Sequence, residues 1–235
     1  MIRFKALGAS VLALSLAVVV STAALGTDIV VGHGIPKVKV DVCAKVGGDL
    51  LELKSNFKYG QVFRLTNLPA ATYKITVRAA SKGKCKGQVL INTGPLAFDG
   101  SEDLSVIATK TKGTPTVVVF DNSEGYDGGS APIFSIKHAA MLGKADVYVD
   151  ILLNDKFAAA AAPTATGVPK GTNVNVEFFE SDIKVGVAKT GTSKILKETP
   201  YWAMDSGKIN HVVAIGPPGQ FRFLRYRTEN KGIQD

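Results

Sequence analysis

One phrase is written twice in this chain, about a hundred residues apart. "VVGHGIPKVKVDVCAK" runs from Val30 to Lys45, and "SIKHAAMLGKADVYVD" runs from Ser135 to Asp150. Each leads apolar residues into a histidine, His33 or His138. Each then sets an Asp-Val pair eight positions later, at Asp41 and at Asp146. A repeated phrase restricts the chain to architectures built from two copies of one unit. The copying extends further. "NLPAATYKITV" (Asn67–Val77) reads as the counterpart of "GVPKGTNVNVEF" (Gly167–Phe178). "LSVIA" (Leu104–Ala108) reads as the counterpart of "NHVVAIG" (Asn210–Gly216).

The unit is β. In "TYKITVRA", Tyr73, Ile75, Val77 and Ala79 alternate with Lys74, Thr76 and Arg78. Val38, Val40, Val42 and Ala44 share one face, and so do Ala145, Val147, Val149 and Ile151. A period of two marks half-buried strands. Short strands punctuated by Gly, Pro and Asn indicate a sandwich or a barrel. "KFAAAAAPTATG" is too short to hold a helix before Pro163 and reads as strand edge and loop. The predicted fold class is all-β: two tandem β-sandwich domains after an N-terminal signal segment. The predicted boundaries are a signal peptide at 1–26, a first sandwich at 27–121, a linker at 122–131, a second sandwich at 132–229 and a tail at 230–235. The linker is rich in Gly, Asp and Ser. The two halves are expected to fold separately.

The signal reading rests on Arg3 and Lys5, the uncharged stretch Ala6–Leu25, and small residues at Ser21, Ala23, Ala24 and Gly26. The stretch is long enough to span a bilayer if it is kept, so a retained anchor is the alternative to cleavage. Either way the chain is predicted to be secreted or held in the cell envelope. In an oxidising compartment the only two cysteines, Cys43 and Cys85, read as a disulfide. Cys43 points outward from its strand and Cys85 sits in "SKGKCKGQ", so the bond would pin that loop over the outer sheet face. Tyr148 takes the place of Cys43 in the second copy.

The net charge is +8, with basic residues crowded at Lys82, Lys84 and Lys86 and at Arg222, Arg225, Arg227 and Lys231. Such crowding either solubilises a surface or gives affinity for an acidic surface polymer or headgroup. Nucleic acid is not a partner for an exported chain. Arg225 and Arg227 share one strand face and Arg222 does not. Trp202, beside Tyr201, is expected to plug one end of a sandwich core. Tyr201, Trp202, Arg225 and Arg227 together form the candidate ligand contact.

No catalytic constellation emerges. His33 with Asp41 and His138 with Asp146 could each be an oriented base, but no G-x-S-x-G nucleophile accompanies them. Their duplication suits a structural hydrogen bond tying one strand end to the next. His33, His138 and His211 stand in different strands and lack metal-site spacing. "GVAKTGTSK" lacks the lysine of a phosphate loop, and "DNSEGYDGG" lacks the spacing of a calcium loop. No catalytic, cofactor or metal residue is assigned, and the chain is read as a non-enzyme.

"HAAMLGKADVYVD", the "VPKGT" turn and the terminal "VVAIG" resemble the exported bacterial domain of unknown function 4397. The second half carries the closer likeness. The first half keeps His33, the Asp41-Val42 pair and "LPAATYKITV". The resemblance implies an immunoglobulin-like sandwich and an extracytoplasmic location, and it brings no activity or catalytic residues. The predicted function is a structural or binding role in the envelope or outside the cell. The alternative is an accessory binder of carbohydrate or acidic surface polymer. Predicted partners are acidic polysaccharide or another envelope protein, with the membrane reached only through an uncleaved signal segment.

Overall fold

The computed structural model describes residues 26–122, 132–153, 156–158, 162–177 and 182–229. The expected signal segment, linker and tail lie outside these residues, apart from Gly26 and Asn122.

Eight strands form the first half: β1 (Thr27–His33), β2 (Val40–Val46), β3 (Asp49–Phe57), β4 (Val62–Leu68), β5 (Ala71–Ala79), β6 (Val89–Phe98), β7 (Asp103–Thr111) and β8 (Thr114–Asp121). The second half holds β9 (Ile133–His138), β10 (Lys144–Leu153), β11 (Lys156–Ala158), β12 (Ala165–Pro169), β13 (Asn173–Glu177) and β14 (Asp182–Lys189). It continues with β15 (Ile195–Glu198), β16 (Trp202–Ala203), β17 (Lys208–Ile215) and β18 (Arg222–Glu229). Each half is two sheets. The inner sheets run β4-β1-β7-β8 and β13-β9-β17-β18. The outer sheets run β3-β2-β5-β6 and β11-β10-β14-β15, with β12 also on β10 and β16 on β14. The strand order is the same in both halves, and β1–β7 and β9–β17 are the parallel pairs in each. The chain is therefore an all-β protein of tandem sandwiches.

Two details of the repeat differ from the sequence reading. The "PKGT" turn leads into β13, the counterpart of β4 and not of β5. The amide of Gly171 donates to the His138 carbonyl just as that of Gly60 donates to His33. The His138 and His33 amides donate in turn to Thr172 and Gln61. A tight turn followed by an alternating strand recurs at many hairpins, so the pattern alone could not fix which strand it announced. The sequence reading also passes over β3 and β14. The leucines of "DLLELKSNF" break its alternation, and Gly186 interrupts that of "DIKVGVAK".

Each sandwich has its own core. Ile29, Val31, Val106 and Ala108 of the first inner sheet meet Val40, Val42, Ala44, Ile75, Val77 and Ile91 of the outer one. In the second half Phe134, Ile136 and Val212 meet Val147, Val149, Ile183 and Val185. A further apolar cluster lies between the two inner sheets. It is made by Ile107 and Phe120 from the first half and by Ala139, Val213, Ile215 and Leu224 from the second. The four central strands β1, β7, β9 and β17 are thus covered on both faces, which is why they read as near-continuous apolar runs.

Fit between the halves is close. A Cβ on Gly32 would stand 2.5 Å from Cδ1 of Leu224. Gly216 has φ +88°, and a Cβ there would stand 2.0 Å from the Tyr59 hydroxyl oxygen. Polar groups also cross. The Thr109 hydroxyl donates to the Ala139 carbonyl at 2.8 Å, and the Lys170 ammonium donates to the Lys110 carbonyl at 2.6 Å. Tyr59 donates to the Gln220 carbonyl, and the Ser105 and Tyr226 hydroxyls are bonded to each other. The fully buried Lys137 donates to Oδ1 of Asn122 and lies 5.4 Å from the centre of the Phe120 ring. Asn122, the first residue of the expected linker, in turn donates to Asp103 at 2.7 Å.

The contact reuses equivalent positions. Phe120 pairs with Ser105 and Tyr226 with His211, on matching strands of the two inner sheets. The arrangement is that of a self-complementary dimer whose subunits share one chain. Halves that folded apart, as the sequence reading expects, would each expose the apolar residues of this contact.

Candidate functional site

The histidines serve the fold. His33 hydrogen-bonds the Val38 carbonyl through Nε2 at 3.0 Å and accepts from the Ile35 amide through Nδ1 at 3.3 Å. Asp41 instead accepts from the amides of Asn56 and Ser81. Asp146 accepts from the amides of Gly167 and Gly191, at 2.7 and 2.9 Å. The expected His–Asp hydrogen bond is formed in neither half. The aspartates lie on the outward faces of β2 and β10, while the histidines end strands of the inner sheets. Each aspartate holds turns of its outer sheet, and His33 braces the loop after its own strand.

Burial dominates the titration of these rings. Burial and then the Lys170 charge push His138 down to about 4, against an opposing Leu142 carbonyl. Burial also lowers His33, and it holds His211 well below the ordinary value with help from Lys137 and Arg64. At neutral pH all three are neutral imidazoles. Among the described residues no group of three His, Cys, Asp or Glu side chains could hold a metal ion. No described helix is long and apolar enough to cross a membrane.

Cys43 and Cys85 are bonded, with Cα atoms 6.1 Å apart. The bond holds the loop of Lys82, Lys84 and Lys86 against the outward face of the first outer sheet. On that face the strand register places Lys45 directly opposite Lys74, and Arg78 two positions beyond Thr76.

Of the four residues named as a candidate ligand contact, Trp202, Arg225 and Arg227 come together at one edge of the second half. Trp202, from β16, packs edge-on to Phe134, with ring centres 6.2 Å apart, against the core of the second sandwich. Arg225 and Arg227 of β18 lie over its indole, at 5.6 and 5.0 Å from the ring centre. Their roles differ. Arg227 is held by Asn210, by the Ala203 carbonyl and by Asp205. Arg225 is exposed and forms no ion pair among the described residues. Tyr201, next to Trp202 in the chain, is 58% exposed. Arg222 lies elsewhere: it sits 5.1 Å over the Tyr59 ring where the halves meet, lining a shallow groove with Lys37, Lys39 and Lys58.

The family model of a domain of unknown function, DUF4397, matches residues 27–148. The chain belongs to this family. The DUF4397 match covers the first half and the opening strands of the second, whereas the sequence motifs look closest in the second half. No curated protein matches the chain. Among solved structures, a candidate cell adhesion protein from Bacteroides ovatus ATCC 8483 is similar over 89% of this chain and 99% of its own, at 10% identity and a TM-score of 0.30. A likeness that distant carries no functional weight.

Proposed function

We propose that this DUF4397 protein works outside the cytoplasm, in the envelope or beyond it, as a non-enzymatic module with a structural or binding role. Its contact edge is the cluster of Tyr201, Trp202, Arg225 and Arg227, and its ligand an acidic surface polysaccharide. The observation that carries this reading is the unequal use of the two arginines. Arg227 is tied down by three partners and keeps the indole in place. Arg225 is thereby left as an exposed guanidinium on a rigid platform. A fixed, unpaired guanidinium suits a carboxylate or sulfate, because its planar donors match two acceptor oxygens at once. The indole is covered by both arginines, so it supports the cation and does not stack a sugar. The disulfide fits an extracytoplasmic setting.

The test is binding to acidic polysaccharide across a salt series. Arg225→Ala is expected to weaken binding about tenfold at low salt, the size of one charge-assisted contact. Equal affinity of Arg225→Ala and the parent at every salt concentration would remove the edge from consideration.

A further inference from the structure

We propose that the outward face of the first outer sheet docks on an anionic lipid surface. This site is separate from the Trp202 edge and does not rest on it.

Six cations gather there. Lys45, Lys74 and Arg78 project from β2 and β5, and the disulfide-pinned loop adds Lys82, Lys84 and Lys86. None of the six forms an ion pair among the described residues. Of the nearby carboxylates, Asp41 stands opposite Arg78 and accepts from the Asn56 and Ser81 amides, and Glu52 stands opposite Cys43, so six cations against two anions leave the face positive. Lys45 and Lys74 are cross-strand partners. Like charges placed directly opposite on adjacent strands destabilise a sheet. An anionic surface laid against them would relieve that repulsion.

Apolar side chains decide between a lipid surface and a soluble polyanion. Leu50 is 53% exposed and Val89 43% exposed, and both line one groove with Lys45, Lys74, Thr76, Arg78 and Asn92. A polyphosphate or polyuronate offers aliphatic groups nothing. The boundary between headgroups and acyl chains accepts them while lysines reach the phosphates. The placement agrees. Val46 pairs with Tyr73 near the start of β5, and Thr27 pairs with Leu68 at the end of β4. The β2–β3 turn and Leu50 therefore share one end of the sandwich with the start of β1. The uncharged run Ala6–Leu25 precedes β1 in sequence, so a chain delivered to a bilayer brings this end first.

The experiment is co-sedimentation with vesicles, using the chain from Gly26 onward, which carries every described strand. Binding is expected to vesicles containing about one-third phosphatidylglycerol and not to pure phosphatidylcholine. Lys45→Ala/Lys74→Ala is expected to weaken it about thirtyfold, about fivefold for each lysine at an anionic surface. Leu50→Ser/Val89→Ser is expected to weaken it severalfold, with most of that loss persisting in high salt. Arg225→Ala should leave it unchanged, which separates this site from the polysaccharide edge. All four altered positions on the face are exposed, so the variants should keep the parent's circular dichroism spectrum. Equal binding to neutral and anionic vesicles would overturn the proposal. So would a Leu50→Ser/Val89→Ser variant that binds like the parent, together with inorganic polyphosphate binding that needs Lys45 and Lys74; that outcome would assign the face to a soluble polyanion.

Discussion

Reduction of the Cys43–Cys85 bond is expected to lower the stability of the chain by about 4 kcal/mol, the chain-entropy value for closing a loop of this size. The cysteines are 42 residues apart. The loop between them contains β3, β4 and β5, so opening it frees an edge strand, a central strand and the inner-sheet edge in the unfolded ensemble. Both cysteines are buried, at 0% and 4% exposure, so reduction of the native protein should be slow and should follow local opening of the Lys82–Lys86 loop. The check is a urea titration of oxidised and reduced protein. A lower midpoint with a similar slope is the expected result, and coincident curves would show that the bond constrains little.

Mild acid is expected to cost about 3 kcal/mol through His138 alone. Its imidazole takes a proton only near pH 4 in the folded chain, against 6.5 for the free side chain. Between those values the unfolded chain binds a proton that the folded chain does not. Stability is therefore full above about pH 6.5 and falls as the pH drops towards 4, by roughly 1.4 kcal/mol for each unit of difference. His33 and His211 are lowered too and act in the same direction. The carboxyl of Asp146, held below its usual range despite burial by two amides, loses its contribution only at still lower pH. Thermal melting at pH 7 and pH 4.5 should show a clear drop in midpoint, and His138→Gln should shrink that drop. A midpoint indifferent to pH across this window would mean that the rings are protonated without cost.

Most of the architecture was legible because it rests on local periodicity. The alternation in "VKVDVCAK" and "TYKITVRA" gave two outer-sheet strands, and the outward phase of Cys43 gave the disulfide. The contact between halves was harder to see. Its one sequence sign is that β1, β7, β9 and β17 are apolar at consecutive positions, as strands covered on both sides must be. Lys137 hid that sign, because a lysine reads as exposed until a partner such as Asn122 is placed around it. The His–Asp pairs misled for a related reason: equal spacing in two copies reports a shared fold, not a contact between the two residues. At the Trp202 edge, alternation along the last strand put Arg225 and Arg227 on one face. The split between a tethered Arg227 and an exposed Arg225 could not be read, because it depends on Asp205 and Asn210 arriving from other segments. The opposition of Lys45 and Lys74 likewise exists only once the β2–β5 register is known.

The central claim is that the two halves form one cooperative body through their inner sheets. Trp202 is the only tryptophan and reports on the second half alone. Ile75, 4% exposed, belongs to the core of the first half. Ile75→Ala should cost about 2–5 kcal/mol, as truncation of a buried isoleucine does. The decisive measurement is the thermal transition of Trp202 fluorescence in this variant. If the halves unfold together, that transition moves down by roughly 5–15 °C, at about 2–4 °C per kcal/mol for a chain of this size. A Trp202 transition that stays at the parent's temperature, while circular dichroism shows the first half melting earlier, would contradict the shared core.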